Sequence, residues 1–244
     1  MKNITYCHKH QTNCIQCNGG KCITQIPLLS NLNSAEIDKI AEGVKHCNFK
    51  NGDRVFSAGD IADRLFIVCS GKMKIYKNTI DGREQILYIL SSGDFIGAFN
   101  LLKEDEFEFN AEAIEDLELS TLAKEDFDQI ILSNPRITLK VFEKAYERIM
   151  KVESLVDRLS TNSTNAKVAG LLLSLIRDFG HETPEGIVLE LTINREEMGS
   201  YSGISRETMT RKLKTFSELQ LIELRGHKKI IIKNKKGLQE LLQE

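Results

Sequence analysis

The sequence predicts an α+β chain with a cysteine-rich arm followed by a β-roll of jelly-roll type, one long helix and a winged helix-turn-helix. Three observations carry that order. Glycines recur at 52, 59, 71, 82 and 93 between short apolar runs, the punctuation of short strands in a barrel or jelly roll. From Ile137 to Leu159 apolar residues return at three- and four-residue steps, which is helical spacing. Near the end a turn at Ser202-Gly203-Ile204 separates two further helical patterns, and a hairpin pattern with a basic tip follows them.

The 244 residues suffice for one large domain or two modest ones. Charged residues at 28% beside 41% hydrophobic ones exclude a disordered or collagen-like chain. The longest apolar run, Ala169 to Ile176 broken by Ser174, falls far short of the ~20 residues that span a bilayer, so no membrane partner is expected. Met1 to Cys7 lack the apolar core of a secretory signal. The expected address is the cytoplasm, where thiols stay reduced and disulfides are not expected. Charge is uneven: Arg206 to Lys236 carry ten Lys+Arg against three acids, a local +7 in a chain whose net is -2. A basic end on an acidic body points to a polyanion there.

Residues 1–24 form the arm, with Cys7, Cys14, Cys17 and Cys22. Residues 25–130 are assigned to the β-roll. Asn33-Ser34-Ala35 opens a short helix with Ile37, Ile40, Ala41 and Val44 on one face. Strands follow at Leu65–Val68 and Glu84–Leu90, and Lys72–Tyr76 with Asp81-Gly82 reads as a hairpin, since glycine accepts the positive φ such turns need. Residues 131–162 hold the long helix and hinge. Its stripe, Val141, Ala145, Ile149, Val152, Val156 and Leu159, is the expected homodimer seam, with packing against the roll as the alternative. No acid is expected to face Val152 and Val156. Ser160 to Asn165 are helix-breaking, capping-type residues and mark the hinge.

Residues 163–244 begin with a Leu-rich helix, Ala166 to Phe179, then a loop over 180–186 and a strand from Ile187 to Leu191. Asn194 to Tyr201 is a short helix, and Ser205 caps a second one that runs to about Ser217. On that helix Met209, Leu213 and Phe216 share a buried face, while Arg206, Glu207, Thr210, Arg211 and Lys214 share the opposite one. A recognition helix needs this arrangement, an apolar back fixed to its domain and polar readers near its N-terminus. Arg takes both guanine acceptors in a bidentate contact and Glu accepts from cytosine. The hairpin of Leu221–Leu224 and Ile230–Ile232, tipped by Arg225-Gly226-His227-Lys228, forms a wing that can touch phosphate. The expected partner is double-stranded DNA, read by a dimer at a palindrome with half-sites ~10 bp apart. An enzyme is not expected, because His8, His10, His46, His181 and His227 are scattered without catalytic partners.

The order of roll, long helix and Ile204-Ser205-Arg206-Glu207-Thr208-Met209-Thr210-Arg211 resembles the Crp/Fnr family, from about residue 25 to the C-terminus. The resemblance implies a cyclic-nucleotide-binding-like roll, RNA polymerase as a second partner, and Arg206, Glu207 and Arg211 as the base readers. Arg at 206 is closer to the cyclic-AMP receptor branch than to the oxygen-sensing branch. The roll departs from the cyclic-nucleotide pattern. Gly97-Ala98-Phe99 and Phe109-Asn110-Ala111 stand where that branch keeps its sugar-binding acid and phosphate-binding Arg, and a phosphodiester without a cation is costly to bury. A cyclic nucleotide is therefore not expected.

Cys14, Cys17 and Cys22, with Cys7 upstream, resemble instead the N-terminal cluster of the oxygen-sensing regulators, which implies a 4Fe-4S cluster on soft thiolate donors. The second gap is one residue shorter than in those relatives, and Ser120 stands where their fourth thiolate lies. Cys7 is the first candidate for the fourth ligand, Cys69 the second and Cys47 the third. Zinc is the rival metal, since His8 and His10 flank Cys7. A thiol redox switch is a further reading of the arm, and an electron-transfer or metal-storage protein without specific DNA binding is the competing class.

Overall fold

The computed structural model describes residues 43–103 and 105–243. The arm, with Cys7, Cys14, Cys17 and Cys22, and nearly all of the expected 33–44 helix lie outside the described residues. The described chain divides into two compact units, one of residues 43–77 and 89–149, the other of 78–88 and 150–243.

Eight strands make the roll: β1 Lys45–Phe49, β2 Arg54–Phe56, β3 Arg64–Ser70, β4 Met73–Asn78, β5 Glu84–Leu90, β6 Phe95–Ile96, β7 Asn110–Ala113 and β8 Leu117–Ala123. They form two four-stranded sheets, β1-β8-β3-β6 and β2-β7-β4-β5, the two-sheet answer to exposed strand edges. Gly71 turns β3 into β4 at φ +81°, where an added Cβ would come 2.2 Å from the Asp116 carbonyl oxygen. No side chain fits there. The expected hairpin forms between β4 and β5, closed by Thr79 N–H to Arg83 O at 2.8 Å and Gly82 N–H to Thr79 O at 2.9 Å.

Three helices belong to this stretch: α1 Ala98–Lys103, α2 Lys124–Ser133 and α3 Pro135–Ser160. The helical periodicity that begins near Glu125 is thus two helices. Pro135 is the reason: it takes the first position of α3, where its missing N–H costs nothing, and it holds Asn134 in an extended conformation. Leu65, Ile67, Phe95, Leu122, Phe127, Ile130, Ile137 and Val141 pack in one core, which lies between sheet β1-β8-β3-β6 and these helices.

The second unit holds α4 Thr164–Phe179, β9 Gly180–Thr183, β10 Gly186–Glu190, α5 Arg195–Ser202, α6 Arg206–Glu218, β11 Ile222–Arg225, β12 Lys229–Ile232 and α7 Lys235–Glu240. Its sheet runs β11-β12-β10-β9. The segment 180–186 expected as a loop forms β9 and a turn, because Gly180 to Thr183 pair with β10 in antiparallel register. Ser163 caps α4 by accepting from Ala166 N–H, and Asn194 with Glu197 makes a full capping box on α5.

Candidate DNA-reading surface and sensor roll

The turn into α6 is built by Gly203 at φ +65°, the left-handed conformation that ends α5. Ser205 then accepts from Thr208 N–H and starts α6. Met209, Leu213 and Phe216 are buried, at 0%, 1% and 1% exposure. Ser205, Arg206, Glu207, Thr210, Arg211 and Lys214 are all exposed, so the six residues singled out in the sequence stand together on the free face of one helix. Their donors differ in availability. Thr210 gives its hydroxyl proton to the Arg206 carbonyl at 2.9 Å, and Lys214 lies 3.9 Å from Glu218. Hydrogen bonds from its own backbone N–H and from Ser205 hold the Glu207 carboxyl below the usual carboxylate range, which keeps it an acceptor.

The wing is less basic than its sequence. Arg225 pairs with Glu223 at 2.6 Å and with Glu185 at 2.7 Å, Lys233 with Glu223 at 3.0 Å and Lys229 with Glu190 at 3.6 Å. Glu185 and Glu190 come from the β9-β10 hairpin, outside the block that carries the +7. At the wing tip His227 and Lys228 are exposed, in reach of a phosphate. Lys212, absent from the sequence assignment, reaches Asn165 Oδ1 at 2.8 Å and ties the middle of α6 to the start of α4.

The long helix divides differently from its sequence assignment. Val141 is 4% exposed and packs with Ile137 in the core of the roll, so it faces its own domain. The exposed apolar stripe is Leu139, Phe142, Tyr146, Ile149, Val152 and Val156, with Ala145 and Leu159 partly buried at its margin. Glu153, four residues after Ile149 and seven after Tyr146, is exposed in the middle of this stripe, so the stripe does carry an acid.

Inside the roll the space is filled by aromatic rings. Phe56 stacks on Phe107 with centroids 3.9 Å apart, and Phe66 and Phe109 close on the pair at 5.4 and 6.0 Å from Phe56. Asn110 is buried and its Oδ1 accepts from Ala58 N–H at 3.1 Å. The nearby cations are engaged: Lys74 with Glu112 at 3.1 Å and Arg54 with Tyr76 Oη at 2.5 Å. This interior is apolar where a phosphodiester would need charge. On the helix-covered side of the same sheet, Ser120 Oγ lies 3.0 Å from Cys69 Sγ and 3.1 Å from His46 Nδ1. Burial pushes the His46 imidazole pKa down against the pull of Glu118. Cys69 is partly exposed. Cys47 is fully buried and disulfide-bonded, against the expectation of reduced thiols. Among the described residues no group of three or more His, Cys, Asp or Glu is placed to hold a metal ion.

Comparison with known proteins matches residues 46–134 to the cyclic nucleotide-binding domain and residues 166–241 to the Crp-like helix-turn-helix domain. The chain belongs to the Crp/Fnr family of transcription regulators. It is 29% identical over 198 residues to the cyclic AMP receptor protein of Thermus thermophilus, covering 81% of this chain and 88% of that one. A solved crp/fnr-family regulator from Eubacterium rectale superposes with a TM-score of 0.68 at 26% identity, over 91% of this chain and 100% of that one. FixK2 from Bradyrhizobium japonicum shares the fold, with a TM-score of 0.72 at 21% identity over 81% and 96% of the two chains. As a Crp/Fnr protein the chain is a DNA-binding regulator whose relatives are regulators and not enzymes. Among the described residues of this regulator no helix is long and apolar enough to cross a membrane.

Proposed function

We propose that this Crp/Fnr regulator works as a homodimer, seamed by the exposed stripe of α3, that reads a palindromic DNA site with Arg206, Glu207 and Arg211 and receives its signal through the N-terminal cysteine arm. The observation that carries the DNA-reading part is the exposed N-terminal face of α6, on which two guanidinium groups and an ionised carboxylate stand over a fully buried apolar back. Arg206 and Arg211 supply bidentate donors for guanine and Glu207 an acceptor for cytosine. His227 and Lys228 on the wing, with Lys214 on the helix, supply phosphate contacts that fix register without carrying sequence. Two such helices address half-sites ~10 bp apart. RNA polymerase is the second partner by family analogy.

For the signal, the aromatic filling of the roll argues against a cyclic nucleotide even though the domain type binds one in some relatives. The arm offers Cys7, Cys14, Cys17 and Cys22 at the spacing of a thiolate cluster. Of the two described thiols, partly exposed Cys69 suits a supplementary ligand better than buried Cys47, and Cys7 remains the first choice for the fourth. A 4Fe-4S cluster held there supplies lability to oxygen. Zinc on the same thiolates would make the arm structural and would leave the signal to a small effector in the roll.

The DNA-reading part is tested by measuring binding to a selected cognate palindrome by fluorescence anisotropy at fixed salt. Arg211→Ala is expected to cost ~1 to 3 kcal/mol at the cognate site and to relax preference at one base pair. A uniform loss across all sequences would reduce Arg211 to a phosphate contact.

A further inference from the structure

The long helix is fastened at two ends to two different things. In the first unit Lys144 reaches Asp94 at 3.4 Å and Arg148 donates to the Phe95 carbonyl at 2.5 Å, which pins the first half of α3 to the roll beside β6. In the second unit the last turns carry Lys151, Leu155, Arg158 and Leu159 at positions i, i+4, i+7 and i+8, one face of a helix. Lys151 lies 3.9 Å from Asp178 near the end of α4, and Leu155 is 3% exposed. Arg158 is buried, and its guanidinium sits 5.1 Å over the Tyr201 ring of α5. Its stem lies against α4, where a Cβ at Gly170 would come 3.1 Å from Arg158 Cδ. Leu159 closes on the turn itself, since a Cβ at Gly203 would come 2.5 Å from Leu159 Cδ2.

Arg158 is an expensive way to fill that space. Its partners, the Tyr201 ring and hydroxyl and Ser154 Oγ at 3.3 Å, are neutral, and its Nε has no hydrogen-bond partner. A buried cation so placed adds little net stability, so fixing orientation is the better account of it. The connection after it is also stapled. Only residues 161–163 separate α3 from α4. Thr161 N–H donates to Asp157 O at 3.1 Å, Ser163 N–H donates to Thr161 Oγ1 at 3.3 Å, and Ser163 Oγ caps Ala166 at 3.2 Å. Asn165 then holds Lys212 of α6.

We propose that Arg158 is a positioning residue for DNA recognition. It holds α5 and the Gly203 turn, and through them α6, rigidly to the last turns of α3, so that the regulator flexes near Ile149–Met150, where the two compact units part, and not in the Ser160–Asn165 linker. This rests on α6 being the DNA-reading helix. In a dimer seamed along α3, the spacing of the two recognition helices is then set by the helix itself.

The test uses the full-length protein and two measurements. By hydrogen exchange with mass spectrometry, amides 161–165 are expected to exchange as slowly as those of α4, with faster exchange at 147–151. By anisotropy, wild type is expected to discriminate about 10-fold against a palindrome with one extra base pair between half-sites, within the usual range of inter-site coupling. Arg158→Met keeps the apolar stem and is expected to abolish that discrimination and speed exchange at 159–165 while leaving dimerisation and roll melting unchanged. Arg158→Lys, which can still cover the ring, is expected to restore part of it, and Tyr201→Phe serves where Arg158→Met folds poorly. A freely exchanging 161–165 segment with a protected 147–151 segment, or unaltered spacing preference in both Arg158→Met and Tyr201→Phe, would overturn the proposal. Absence of specific DNA binding in wild type would instead overturn the reading it rests on.

Discussion

The exposed stripe of α3 gives a prediction whose size follows from the coordinates. Ile149 is 55% exposed in the single chain, so a seam that covers it buries about half of its side chain. Ile149→Ala deletes three carbons, worth ~0.8 kcal/mol each when fully buried. Scaled by the exposed fraction this is ~1.3 kcal/mol per chain, and ~2.6 kcal/mol for the two copies in a dimer. At 1.4 kcal/mol per decade the dimer dissociation constant should rise about 70-fold. Val141→Ala provides the contrast. Val141 is 4% exposed within the roll, so its truncation should cost ~2 kcal/mol of roll stability, transfer plus cavity, and leave dimer affinity unchanged. Sedimentation equilibrium measures the first quantity and urea unfolding the second. A dimer weakened by Val141→Ala and indifferent to Ile149→Ala would refute the assignment of faces.

Three further outcomes are expected. Glu153→Leu should strengthen the dimer several-fold in the same sedimentation assay, because two copies of an acid at the centre of a parallel seam repel and must be desolvated; an unchanged or weaker dimer would place Glu153 off the seam. Ser205→Ala should cost ~1 kcal/mol of stability through the lost cap and weaken DNA binding, read by thermal melting and anisotropy on one preparation, and an unaltered melting curve would remove Ser205 from the cap. Burial pushes the Tyr201 hydroxyl up to about 12. Unfolded tyrosine releases its proton near pH 10, so Tyr201 contributes stability that is intact below that pH and drains away between pH 10 and 12. Tyr201→Phe should flatten that part of the stability profile, and an equal alkaline loss in the variant would assign it to other groups.

Most of the fold was legible because its signals are local. Turn glycines, the Asn194 and Ser205 caps and the alternation of Met209, Leu213 and Phe216 each depend on neighbours a few residues away. The recognition face was legible for the same reason, since exposure on an amphipathic helix follows from spacing. What escaped depends on contacts distant in sequence. Periodicity told that α3 has apolar faces but could not tell which one the roll takes, so Val141 was grouped with the seam, Phe142 and Tyr146 were left off it, and Glu153 went unnoticed. The wing's apparent charge was overstated because Glu185 and Glu190 meet it from another hairpin. Arg158 read as one more helix cation; only the placement of Tyr201 and Gly203 under the same turn gives it a role.

The claim that the signal enters through the arm is tested most directly by purifying the full-length protein without oxygen, counting iron, sulfide and zinc per chain, and measuring cognate DNA affinity before and after air. The account predicts a brown protein with about four irons and as many sulfides per chain, which air bleaches while changing DNA affinity. A colourless protein with tightly bound zinc, or one whose DNA affinity is the same with and without iron, would contradict it.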